Sequence, residues 1–61
     1  MNKVVFYEFL YSSMDTNQVK KLKELYDIII PRVGEFIIID KDDLEVKEIV
    51  HDYDNNVINV Y

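Results

Sequence analysis

A chain of 61 residues without a single cysteine has few ways to stay folded. At this length folding hides only about 60% of the surface that the unfolded chain exposes, so stability is marginal. Small domains offset this with disulfides, a bound metal or a partner subunit. Without cysteine, disulfides and thiolate metal sites are excluded. A dense apolar core or self-association remains, and a hydrophobic fraction of 49% can supply either. The length allows one domain, residues 1–61.

No apolar run approaches the roughly 20 residues of a membrane-spanning helix. The longest, Ile28–Ile30 and Phe36–Ile39, are short and β-branched. Asn2 and Lys3 lead into a mixed aromatic stretch with Glu8, which does not read as a signal peptide. The expected location is the cytoplasm, and the lack of cysteine agrees with a reducing compartment.

The net charge of −5 is unevenly placed. The first thirty residues balance, and the whole excess falls in residues 31–61, where Arg32, Lys41 and Lys47 face eight carboxylates. Direct nucleic-acid binding needs basic surface to displace counterions from phosphates, so it is not expected. A basic protein partner suits this surface better.

Along the chain, residues 3–11 (KVVFYEFLY) read as a strand with apolar side chains on both faces, the pattern of a central strand or of one with a helix on one face and a partner on the other. Asp15 or Thr16 with Gln18 approximates a helix-capping arrangement. Val19, Leu22, Leu25 and Tyr26 then recur at helical spacing, and the lysines at 20, 21 and 23 take the other face, so a helix is expected over residues 15–26. Ile28–Ile30 precedes Pro31 and should be extended. Pro31 and Gly34, the chain's only proline and glycine, mark a turn in which Gly34 takes a positive φ. Phe36–Ile39 reads as a buried strand ended by the polar stretch 40–43. From Leu44 the residues alternate, then slip in phase at Lys47–Glu48, where a β-bulge restores the register and bends the strand. Asp54, Asn55 and Asn56 form a hairpin turn, and residues 57–61 return as a strand. The expected fold is therefore α+β: an antiparallel sheet of about four strands with the helix of residues 15–26 packed across it. The alternative is a small SH3-like β-barrel with a helical insertion.

The second half, PRVGEFIIID and EVKEIVHDYDNNVINVY, resembles a pattern in small phage and mobile-element proteins. In these a Pro-x-x-Gly-Glu turn precedes a hydrophobic strand and a bulged C-terminal hairpin. The resemblance covers residues 31–61. It implies a small barrel-like β domain, a phage or mobile-element origin and residence in a bacterial host cell, and it transfers no functional residue.

Candidate chemistry is sparse. His51 is the only histidine, and a general base beside Asp52 or Asp54 is the one enzymatic reading it permits; a surface role on a half-exposed strand is the plainer one, and no enzyme is expected. Residues 52–56 (DYDNN) match the start of a calcium loop, but Val57 stands where glycine is needed and no bidentate glutamate follows. No metal or cofactor is expected. The acids of residues 40–54 could instead form a negative surface that imitates phosphates and occupies a basic channel; as a solvated face they would serve only solubility. Five tyrosines and three phenylalanines exceed what so small a core encloses, and Tyr11, Tyr53 and Tyr61 lie at element ends where a partner can reach them. Two functions follow. The first is a non-enzymatic acidic binding protein that inhibits a host protein, such as a nuclease or defence enzyme, by occlusion through Asp42, Asp43, Glu45, Asp52, Tyr53 and Asp54. The second is an assembly subunit that homodimerises or docks by sheet-edge pairing.

Overall fold

The computed structural model describes residues 2–10 and 18–61, with only the backbone of Leu10 and Gln18. Every regular element in them is a strand: β1 (Lys3–Leu10), β2 (Gln18–Tyr26), β3 (Phe36–Ile39), β4 (Asp42–Glu45), β5 (Ile49–Asp52) and β6 (Val57–Val60). Four form one sheet in the order β2-β1-β6-β5, and β3 and β4 form a separate two-stranded sheet.

The α+β expectation is thus wrong, and so is the barrel with a helical insertion. Gln18–Tyr26 is a strand antiparallel to β1, while residues 15–17, with Asp15 and Thr16 of the expected cap, lie outside the described residues, as does Tyr11. The physical reason is a bulge. The register shifts between Phe6 and Tyr7, which face Lys23 and Lys21, so Leu22 is an extra residue on β2. In a regular strand residues three apart point to opposite faces. One inserted residue restores them to the same side, and Leu22 and Leu25 both pack on the core. The spacing that reads as a helical turn is met by a bulged strand. Val19 and Tyr26, the other members of the expected stripe, are exposed.

β1 is central, flanked by β2 and β6. Its pairing with β6 is parallel, Val4 opposite Ile58 and Phe6 opposite Val60, so the sheet is mixed rather than wholly antiparallel. It does not close among the described residues, since β2 and β5 are its edges. Asn2 and Asp27 tie off the β1–β2 ladder: the Asp27 N–H donates to the Asn2 carbonyl, and the Asn2 N–H to Asp27 Oδ1, each at 2.9 Å.

The core lies between the sheets. Val4, Phe6 and Val60 of the larger sheet meet Ile39 and Val46, all at most 7% exposed, with Ile37, Leu44 and Ile49 packed around them. Each such side chain contributes roughly 1.5–3 kcal/mol when fully buried.

Two bulges steer the chain between the sheets. Arg32–Glu35 is a turn closed by the Glu35 N–H on the Arg32 carbonyl at 3.0 Å, with Gly34 at φ 93°. The Gly34 N–H then donates to the Val46 carbonyl and the Val46 N–H to the Glu35 carbonyl, so two residues oppose one, with glycine at the left-handed position. At the slip in phase read from the sequence, the Lys47 and Glu48 N–H groups both donate to the Tyr61 carbonyl, at 2.6 and 3.2 Å. Between these bulges the run from β4 to β5 passes from the smaller sheet to the larger.

Candidate functional site

β3 and β4 make a tight hairpin whose two turn residues, Asp40 and Lys41, both have positive φ, 51° and 73°. That is the geometry of a type I′ turn, which matches the strand twist. The polar stretch read as a loop over residues 40–43 is therefore shorter, and β4 begins at Asp42.

The register sorts the hairpin into two faces. Ile37 opposite Leu44 and Ile39 opposite Asp42 form the inner face, which supplies the core. Phe36 opposite Glu45 and Ile38 opposite Asp43 form the outer face. Directly opposed residues share one side of a ladder with their side chains close together. The reading of Phe36–Ile39 as a buried strand therefore holds for only half of it: Phe36 and Ile38 are each 72% exposed. Val33, in the turn leading into the hairpin, is also exposed. The outer face is an apolar stripe bordered by two carboxylates. Sequence reasoning named Asp43 and Glu45 and missed Phe36 and Ile38. The signal was present in the alternation of β4, whose acids at 43 and 45 mark the face on which their partners stand.

Four of the six expected partner-binding residues are divided between two hollows. Asp43 and Glu45 border a hollow of about 200 Å³ with Tyr7, Phe9 and Tyr61. Asp52 and Tyr53 border another with Lys3, His51 and Asn56, and no residue lines both. Asp42 and Asp54 are exposed and line neither.

Asp52 is committed to its own turn. Its Oδ1 accepts the backbone N–H groups of Asp54 and Asn55, each at 3.1 Å, and its Oδ2 accepts the Asn55 side-chain amide at 2.9 Å. The Asn55 side chain and backbone, with the Asp54 N–H, hold this carboxyl below the usual carboxylate range. Asn56 closes the turn at φ 56°. Tyr53 is 88% exposed, and its ring stacks on His51 with centroids 6.1 Å apart. His51 stacks on Tyr53 and the Asp52 carboxylate is bonded within its own turn, where the sequence suggests a general-base pairing of His51 with Asp52 or Asp54. Among the described residues no three His, Asp or Glu side chains are grouped to hold a metal ion, and no helix is long and apolar enough to cross a membrane.

At the first hollow, Tyr61 stacks on Tyr7 (5.1 Å, 16°) and on Phe9 (5.6 Å, 29°). Burial pushes the Tyr61 hydroxyl above its ordinary pKa, with Tyr7 and Glu48 adding to the effect. Lys47 Nζ bonds Glu45 Oε1 at 2.7 Å. Elsewhere on the sheet Lys3 and Lys21 bridge Glu24 at 3.0 and 2.9 Å, so part of the lysine-rich face of residues 20–23 is engaged with the chain itself.

Compared with known family models, with characterised proteins and with solved structures, the chain matches none at a significant level.

Proposed function

We propose that this chain is a non-enzymatic binding protein that docks on a basic protein surface and acts by occluding it, as an inhibitor of a nucleic-acid-binding enzyme would. One observation carries the reading: Phe36 and Ile38 stand exposed on the outer face of the β3–β4 hairpin with Glu45 and Asp43 as their direct neighbours. Exposed apolar side chains in register on a strand, bordered by charge, have the anatomy of an interface core with a polar rim. The carboxylates add selectivity and faster encounter rather than raw affinity.

The same stripe offers surface for the assembly reading, in which copies pair. A two-fold pair through this face would bring both copies of Asp43 and Glu45 into one contact, in a chain already at −5. Like charges brought together work against that contact, so a basic partner is favoured.

The test is capture by the tagged chain from bacterial lysate at low and high salt, with light scattering on the free chain. A monomer that retains one basic protein at low salt is expected. Retention should disappear in Phe36→Ser/Ile38→Ser and in Asp43→Lys/Glu45→Lys, both of which stay folded because all four side chains are outside the core. Retention unchanged in both variants refutes the docking face. A salt-resistant homodimer broken by Phe36→Ser/Ile38→Ser establishes the assembly reading instead.

A further inference from the structure

The hollow beside the hairpin has a chemistry that the outer face lacks. Tyr7, Glu8 and Phe9 of β1 line one side, and Asp43, Leu44 and Glu45 of β4 another. Successive residues of a strand point to opposite faces, so three in a row at one hollow means that the strand turns its edge towards it. Both edges are open among the described residues. β6 pairs with Lys3–Phe6, and no described strand pairs with the rest of β1 on that side, while β4 is paired only to β3.

At about 200 Å³ the hollow has room for one long side chain; drug-sized ligands take pockets of about 300 Å³ and more. One wall is aromatic, with Tyr61 stacked against Tyr7 and Phe9. Around it stand the carboxylates of Glu8, Asp43 and Glu45 against the single cation Lys47, which Glu45 holds. Glu8 and Asp43 have no ion-pair partner among the described residues. Ring faces with unpaired carboxylates beside them attract a flat, delocalised cation. Guanidinium stacks on aromatic rings and is more weakly hydrated than ammonium, so it enters such a site more readily.

The geometry points to an arginine side chain of the docked partner as the occupant of this hollow. The inference rests on the reading of the hairpin as a docking face, because Asp43 and Glu45 belong to both the outer face and the hollow. A partner lying on Phe36 and Ile38 reaches the hollow over the free edge of β4. The basic partner is thereby narrowed to one that presents arginine, rather than lysine, next to an apolar contact.

The test titrates isotope-labelled protein at low salt with a capped Ala-Arg-Ala peptide, following backbone amide shifts. Its lysine counterpart and its citrulline counterpart, which keeps the shape and loses the charge, serve as comparisons. Saturable shifts at residues 7–9, 43–45 and 61 are expected with arginine, about fivefold weaker binding with lysine, and no response with citrulline. Tyr61→Leu should abolish the arginine response. Asp43→Asn, at an exposed position that does not threaten the fold, should weaken it about fivefold. No response to arginine, an equal response to citrulline, or arginine binding unchanged by Asp43→Asn overturns the inference. If partner capture is still lost in Phe36→Ser/Ile38→Ser, that failure removes the hollow alone. If capture survives that variant, the docking face falls and the inference falls with it.

Discussion

Replacing Gly34 with alanine separates backbone handedness from every other contribution at the turn that enters the β3–β4 hairpin. Gly34 sits at φ 93°, third in the turn closed by Glu35 on Arg32, and its own N–H bonds Val46. A Cβ built there meets no atom within 4 Å, so alanine clashes with nothing and the cost is conformational. Left-handed geometry costs an L-residue roughly 1–2 kcal/mol. Alanine recovers about 0.4–1 kcal/mol by restricting the unfolded chain. The net loss is therefore about 1 kcal/mol, or roughly 4–8 °C in Tm for a domain of this size. Urea unfolding should show a lower midpoint with an unchanged slope. Asparagine, which tolerates the left-handed region, should lose less. D-Alanine, introduced by chemical synthesis, should raise stability, since its Cβ favours positive φ. Equal midpoints for L- and D-alanine, or an L-alanine variant as stable as the parent, would refute the assignment of a left-handed requirement here.

Two further outcomes follow from the same geometry. Lys41→Gly should stabilise the chain by about 0.5–1 kcal/mol, because both turn residues of the hairpin are left-handed and lysine gains nothing from that conformation; differential scanning calorimetry checks it, and a lower Tm contradicts it. The Glu24, Glu35 and Asp52 carboxyls are all held below their ordinary range, by Lys21 and Lys3, by the Arg32 backbone and by Asn55 respectively. A depressed native pKa contributes stability above the unfolded pKa and loses it as pH falls through the native one. Circular dichroism should therefore show stability declining from neutral pH into the acid range, less steeply in Asp52→Asn and Glu35→Gln; a slope unchanged in both variants would contradict it.

What the sequence disclosed and what it hid divide along a physical line. Local backbone chemistry was legible. The positive φ of Gly34, the turn ending at Asn56 and the phase slip at Lys47–Glu48 each follow from a few neighbouring residues, and each is where the chain places it. β1, apolar on both sides, is central, one of the two placements that its pattern suggests. The errors came where distant partners decide. Gln18–Tyr26 is rich in helix-forming residues, yet β1 supplies a ladder and the bulge at Leu22 lets a three-residue spacing serve a strand. Phe36 and Ile38 look like core residues until the register sets them opposite Glu45 and Asp43. The acids of residues 42–54 are close in sequence, but the run through the Lys47–Glu48 bulge leaves Asp43 and Glu45 at one hollow and Asp52 at another.

The parallel pairing of β1 with β6 also determines how the fold bears force. Lys3 enters β1 at the end of the pair where Val57 enters β6, and Phe6 and Val60 stand together at the other end. Tension applied at residue 3 and residue 60 pulls these strands along their length in opposite directions. All hydrogen bonds between them are then sheared together instead of being peeled one at a time, as they would be in a hairpin loaded at its open end. The slanted, evenly spaced bonds of a parallel pair share that load. Held at residues 3 and 60, this small domain is loaded along its parallel seam, and its hairpins are shielded until that seam gives way.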